Sequence, residues 1–366
     1  MLNKLFTPGP VQISKTVLKE MYKPIIFHRT ASFEKLYKNV TEKLIKIFDA
    51  NQHFVTLILT GSGTMANEAV ISSLIGRKDK LLIISNGQFS ERLATIAKIH
   101  NINLKILDFG WGNAIELSRL EIEIEKYNPT WIATVLLETS IGIVNPINKI
   151  GKLCKKYNSK FLVDAVSGLG AEKLSITKDN IDVCVSVPNK ALESAPGISF
   201  VCLRKDLISN LKTKGPRSYY LDLSRYFEIS LKYQTPTTPA ISIIVSLNKA
   251  LDILIKETLT ARQNRYKYLS SLVIKYCNKL QIEILIKNKG LKANAITTLV
   301  LRNHESAEKL QKYLERHGFT VWHHPYNKRD KKFDCLLQIS VMGDIDKKDI
   351  KNLFSKIVFF QNIYGK

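Results

Sequence analysis

A lysine that follows a buried strand can do chemistry that a surface lysine cannot. Lys190 lies in Val185-Ser186-Val187-Pro188-Asn189-Lys190-Ala191-Leu192, directly after an apolar run. Desolvation near other cations lowers the pKa of an amine, and the neutral amine condenses with a carbonyl to an imine. In a chain with 55 Lys and Arg residues, a lone lysine says nothing. The position after a strand, with Pro196-Gly197 downstream, is what singles Lys190 out.

Twenty-six residues earlier, Phe161-Leu162-Val163-Asp164 ends another apolar run in a carboxylate. In open α/β sheets, ligands bind beyond the carboxyl ends of the strands. A carboxylate there can hold a protonated pyridine nitrogen and make such a ring an electron sink. An ordinary helix N-cap explains Asp164 equally well. Thr60-Gly61-Ser62-Gly63-Thr64 also follows a strand and opens a helix at Met65-Ala66-Asn67-Glu68. Backbone N–H groups and the dipole at a helix start bind phosphate, and Ser62 and Thr64 add hydroxyls. A plain glycine turn is the competing explanation. No GxxxxGK[ST] motif occurs, so a nucleotide P-loop is not expected.

These residues need strands to carry them. Apolar runs predict strands over Val55–Leu59, Lys80–Ile84, Leu104–Phe109, Trp131–Leu136, Lys160–Val163, Val183–Val187 and Ile198–Leu203. Helical patterns over Thr64–Leu74, Ser90–Ile99 and Ile147–Tyr157 lie between them. Alternating strands and helices predict right-handed crossovers and a mainly parallel sheet covered on both faces. Ile241 to about Asn278 reads as one long helix leading out of this domain. Beyond it, a strand over Ala295–Leu301, a helix over Ser306–His317, a strand over Leu336–Ser340 and a helix from Lys347 predict a small α+β domain. The expected organisation is an N-terminal segment over 1–15, a large domain over 16–255 and a small C-terminal domain over 256–366.

The chain has 366 residues, 45% of them hydrophobic, which suits one large core plus a smaller one. Its net charge is +23, but the basic residues are scattered, without a dense cluster interleaved with aromatics. Nucleic acid and membrane are therefore not expected as partners, although the positive field favours anionic substrates. No run of about 18 apolar residues predicts a membrane span, and Met1 to Pro10 does not read as a signal peptide. Cys154, Cys184, Cys202, Cys277 and Cys335 are spread out and form no CxxC pair. That argues against a disulfide framework or a zinc site and predicts a cytoplasmic protein without metal.

Further stretches keep the order and spacing of a known family. Phe6-Thr7-Pro8-Gly9-Pro10 resembles its N-terminal turn, and His28-Arg29-Thr30 followed by Phe33 resembles its HRxxxF element. Asn86-Gly87-Gln88-Phe89-Ser90-Glu91-Arg92 resembles NGxFGxR, Glu138-Thr139-Ser140-Ile141-Gly142 matches ETxxG, and Thr235-Pro236-Thr237-Thr238-Pro239 matches TPxTP. From about Phe6 to Phe354 the chain resembles a class V aminotransferase of the fold type I pyridoxal phosphate enzymes. The resemblance implies a Schiff base on Lys190, which also shuttles the proton between Cα and C4′, and Asp164 on the pyridine nitrogen. It implies a phosphate cup from Ser62, Gly63 and Thr64, Phe89 stacked on the ring, and Thr139 near the ring hydroxyl. Asn189 falls near the phosphate, and Thr235 becomes a phosphate contact from the other subunit of a homodimer. For Phe89 alone, ordinary core packing is the competing explanation. The expected partners are an amino donor and an oxo-acid acceptor, converted with ping-pong kinetics.

Cysteine desulfurases share the fold but carry His before the lysine, where this chain has Asn189; Cys335 reads as core. Pro188-Asn189-Lys190 through Pro196-Gly197-Ile198-Ser199-Phe200-Val201, with Ser218-Tyr219-Tyr220-Leu221-Asp222-Leu223, resembles the 2-aminoethylphosphonate–pyruvate transaminase branch. One position departs from it. The family's RIGxxG arginine, which forks onto the substrate carboxylate, corresponds to Gln338 in Leu337-Gln338-Ile339-Ser340-Val341-Met342-Gly343. A neutral amide in that place costs about 1–3 kcal/mol of charge-assisted binding. Either Arg29, Arg217 or the pair His323-His324 compensates, or the substrate differs; a solvated surface pair is the plain explanation of the two histidines. The alternatives are an alanine- or serine–glyoxylate-like transaminase, a related lyase or decarboxylase, and a noncatalytic nucleic-acid-binding relative.

Overall fold

The computed structural model describes residues 3–209, 211, 216–324 and 333–364. Seven strands form the central sheet, in the order Phe54–Thr60, Ile198–Arg204, Val183–Ser186, Lys160–Asp164, Trp131–Val135, Lys80–Ser85, Asn103–Asp108. Ile198–Arg204 runs antiparallel to both neighbours, and the other pairings are parallel. The sheet is mixed and mainly parallel, as the resemblance to the fold type I enzymes implies. All seven predicted strands are present, each within one residue of the expected limits at either end.

The reason is burial. Strands covered on both faces read as unbroken apolar runs rather than alternating ones. Ile58, Leu82, Ile132, Phe161 and Phe200 face one core layer, and Leu57, Leu81, Ala133, Leu162 and Val201 face the other. Phe161 and Phe200 are fully buried, so truncating either to Ala costs about 3–5 kcal/mol.

The predicted long helix is two helices. Ile241–Glu257 ends at Thr258, which takes φ +75°, and Leu259–Lys279 begins there. The Thr258 hydroxyl accepts a hydrogen bond from the Ala261 N–H at 3.2 Å, so Thr258 caps the second helix. The apolar periodicity runs through the junction without Gly or Pro, which hides the break in the sequence.

After the second helix comes a four-stranded antiparallel sheet in the order Glu283–Ile284, Ile296–Val300, Leu336–Ser340, Trp322–His323. Helices Leu259–Lys279, His304–Arg316 and Lys347–Tyr364 accompany it. The N-terminal strand Lys4–Leu5 pairs in parallel with Phe319–Thr320. That pairing carries the chain start across the molecule and brings Pro8 to Lys190. Among the described residues, no helix is long and apolar enough to cross a membrane. No group of three His, Cys, Asp or Glu residues among them is placed to hold a metal ion.

Candidate active site

Three strand ends and one helix start meet at a cavity of about 310 Å³. Its lining includes Ser62, Gly63, Thr64, Phe89, Asp164, Asn189 and Lys190. The structure thus brings together seven of the eleven residues singled out in the sequence. A larger cavity, about 1170 Å³, opens at the opposite edge of the sheet among His53, Asp79, Thr130, Lys160 and Asp182. It lies at the amino ends of the parallel strands, away from Lys190 and Asp164.

Ser62 caps the helix Gly63–Leu74 by accepting from the Met65 N–H at 3.3 Å. The first N–H groups of a helix have no intrahelical acceptor and suit an anion. Gly63 keeps this turn open, because a Cβ there would sit 2.6 Å from Val166 Cγ2 and 3.1 Å from Val187 Cγ1. We expect Gly63→Ala to displace Val166, lower stability by about 1–3 kcal/mol and weaken phosphate binding. Thermal unfolding with and without added pyridoxal phosphate reads both effects.

Asp164 is buried at the end of Lys160–Asp164. Its carboxylate accepts from Asn67 Nδ2 at 2.6 Å and from the Val166 N–H at 2.9 Å. Burial raises its pKa; those two donors and the Arg92 and Lys190 charges oppose the rise. The Asn67 Oδ1, beside this carboxylate, is buried without a partner among the described residues.

Lys190 Nζ donates to the Pro8 carbonyl at 2.8 Å. Gly9, at φ +139°, lets the chain pass close, since a Cβ there would lie 2.4 Å from Lys190 Nζ. Desolvation lowers the Lys190 pKa to about 8; Asp164 works against this and Arg92 works with it. Arg92 donates to Thr64 Oγ1 at 3.1 Å and lies over the Phe89 ring, 4.7 Å from its centroid. Removing that cation makes the protonated amine easier to hold, so Arg92→Met raises the Lys190 pKa above about 8. The pH midpoint for capture of an aldehyde by the enzyme then moves upward; a downward or absent shift would contradict this electrostatic account.

Phe89 is half-buried at the cavity rather than sealed in the core. Its N–H and that of Ser90 each donate to Glu138 at 3.0 Å. Burial raises the Glu138 pKa, against four donated hydrogen bonds. Thr139 is also buried, and its hydroxyl donates to Ser167 Oγ at 2.6 Å.

Four of the singled-out residues do not line the cavity. Besides Thr139, Gln338 is fully buried, and its Nε2 donates to the Thr139 carbonyl at 2.6 Å and to Thr298 Oγ1 at 3.1 Å. Gln338 thus ties the second sheet to the turn beside Glu138. Thr235 is buried with its hydroxyl donating to the Thr237 carbonyl. Arg29 is exposed and donates to Gln234 Oε1 and the Thr235 carbonyl, so these two share one corner.

The possible substitutes for a carboxylate-binding arginine sort themselves by their contacts. Arg217 donates through Nε and Nη2 to the Ile71, Ser72 and Ile75 carbonyls at a helix end, and its Nη1 is buried without a partner among the described residues. His323 and His324 are buried, so they are not a solvated surface pair. Burial pushes the His324 pKa down to about 4, so it carries no charge near neutral pH. Cys335 is half-buried, immediately before the strand Leu336–Ser340.

Neither Asn67 nor Arg92 stands out in the sequence as a site residue. Both sit on helices already recognised, Asn67 one turn beyond Gly63 and Arg92 three residues after Phe89. The i, i+3 and i, i+4 spacing that places them on the site face was the available signal.

Residues 11–353 match the model of the aminotransferase class-V family. An uncharacterized aminotransferase of Methanocaldococcus jannaschii is 34% identical over 78% of this chain and 74% of its own. The 2-aminoethylphosphonate–pyruvate transaminase of Lysinibacillus sphaericus is 30% identical over 96% of this chain and 95% of its own. Among solved structures, ureidoglycine–glyoxylate aminotransferase from Bacillus subtilis superposes with a TM-score of 0.90 at 22% identity, covering 100% of this chain and 94% of that one. Pyridoxamine–pyruvate aminotransferase from Mesorhizobium loti gives a TM-score of 0.90 at 21% identity, with the same two coverages.

Proposed function

The chain belongs to the class-V aminotransferases, and from that membership we propose that it moves an amino group from a small amine or amino acid to an oxo acid, using pyridoxal 5′-phosphate held on Lys190. The observation that carries the reading is one cavity holding a reactive amine, a buried carboxylate and a helix start together. The residues suit the cofactor. Ser62, Gly63 and Thr64 would hold its phosphate, Phe89 would cover its ring, and Asp164 would face its ring nitrogen. The buried, unpartnered Asn67 Oδ1 beside Asp164 leaves an acceptor for a further donor at that end.

When bound, the cofactor supplies an electron-withdrawing ring conjugated to the carbon that carries the amino group. Asp164 would keep the ring nitrogen protonated, and a cation there would hold the buried carboxylate ionised. Lys190, with a pKa of about 8, is neutral often enough near pH 7–8 to accept a proton from the substrate carbon and return it. Pro8, through its carbonyl, orients that amine.

The 2-aminoethylphosphonate–pyruvate pair is the substrate pair we favour, supported by the nearly full-length relative at 30% identity. The contacts of Gln338 support a role in tying the four-stranded sheet to the turn after Glu138, and we infer that the acid group of the substrate is read elsewhere. A homodimer is supported by exposed Tyr22, Ile25, Phe27 and Leu231 in the segments flanking the Arg29–Thr235 corner. Cys154, Cys184, Cys202 and Cys277 are buried and in no disulfide, which suits a reducing, cytoplasmic setting.

Incubation with 2-aminoethylphosphonate and pyruvate tests the reading. Alanine and phosphonoacetaldehyde in equal amounts are expected. Release of ammonia or carbon dioxide without a new amino acid would replace transfer by a lyase or decarboxylase.

A further inference from the structure

The loop that carries Lys190 is clamped by a charge network built around the buried Arg262. The Ala191 carbonyl accepts from Arg262 Nη1 at 3.0 Å and from the Tyr266 hydroxyl at 3.1 Å. Glu193 takes φ +60°, and its N–H closes a turn onto the Lys190 carbonyl at 3.0 Å. Its carboxylate accepts from Tyr266 at 2.5 Å and Arg265 at 2.7 Å and pairs with Arg262 at 3.3 Å. Glu257 pairs with both arginines, at 2.6 and 2.9 Å. Arg262 is 1% exposed. Arg265 Nη1 also reaches the Gly343 carbonyl at 3.3 Å, just past the strand that holds Gln338.

A glutamate in the left-handed region is strained, and a buried guanidinium is costly unless fully paired. Both features persist because each satisfies the other. The network sits at the break between the helices Ile241–Glu257 and Leu259–Lys279, so it links the reactive-lysine loop to the region beyond Thr258.

We propose that Glu193, Arg262 and Tyr266 are positioning residues that hold the Lys190 amine at its reactive place between Asp164 and Arg92. The proposal rests on the reading of Lys190 as the residue that holds the cofactor. Among the described residues the Lys190 side chain makes one hydrogen bond, at its tip, to the Pro8 carbonyl, so the loop backbone sets where the base of the side chain lies. The charged groups facing the amine are Asp164 and Arg92. A loop that drifts moves the amine away from both and toward water, and its pKa then climbs toward the ordinary lysine value.

The experiment uses Glu193→Gln and Tyr266→Phe in the full chain, with pyridoxal 5′-phosphate as the probe. Each variant is followed by the rate and pH midpoint of visible chromophore formation, by kcat and KM, and by thermal unfolding. We expect capture and kcat to fall by about tenfold or more, the pH midpoint to rise, and KM to change little. Tyr266→Phe keeps every charge, so it serves if Glu193→Gln fails to fold. A rate and midpoint equal to the wild type in the folded variants would overturn the proposal, whether or not their melting temperature falls. A wild type that forms no chromophore would instead defeat the underlying reading of Lys190.

Discussion

We expect Lys190→Ala to leave a folded protein with turnover lowered by about 10³-fold or more. The side chain projects into a cavity and makes one described hydrogen bond, to the Pro8 carbonyl, so its removal costs the fold little. The chemistry loses two things at once. With Lys190 in its proposed role, no amine would remain to hold the cofactor covalently, and no base to move the proton at the substrate carbon. An added small amine can replace part of the second loss, as a diffusible base, but it cannot tether the cofactor to the chain. Single-turnover rates with and without exogenous amine separate the two, and a variant turning over within tenfold of the wild type would remove Lys190 from the mechanism.

Asp164→Asn is expected to be the second most damaging change, lowering kcat by about 10²–10³-fold. The amide is nearly isosteric but carries no charge to keep a ring nitrogen protonated. It also has one acceptor where the carboxylate has two, while both Asn67 Nδ2 and the Val166 N–H require one. A donor left unpaired costs about 1–3 kcal/mol, so the variant is less stable as well as less active. Asp164 raises the Lys190 pKa, so its loss moves the pH midpoint of capture below about 8. Arg92→Met moves the same midpoint upward. Shifts of opposite sign from two residues flanking one amine are hard to produce by general damage to the fold, and equal signs would refute the electrostatic arrangement.

The parts of this design that are local in sequence could be read there. The strand ends bearing Asp164 and Lys190 follow unbroken apolar runs, and Ser62–Thr64 stands where such a run gives way to a helix. Phe89 was ambiguous between core and cavity, and only its position against Arg92 and the cavity resolves that. What escaped is made by distant residues. Asn67 reaches Asp164 across 97 positions, and Arg262 reaches Ala191 across 71. Thr258 breaks a helix that periodicity alone continues, because the cap is a hydroxyl and not a Gly or Pro. The histidine pair reads as polar surface until the strands around Trp322 and Leu336 enclose it.

We propose that one particular lysine, in a chain crowded with them, holds the cofactor. Borohydride reduction of the protein loaded with pyridoxal 5′-phosphate, followed by peptide mass mapping, tests it most directly. The account predicts one reduced cofactor per chain, on the peptide containing Lys190, with loss of the visible band near about 410–430 nm. Stoichiometric label on any other lysine, or none on Lys190, would contradict it.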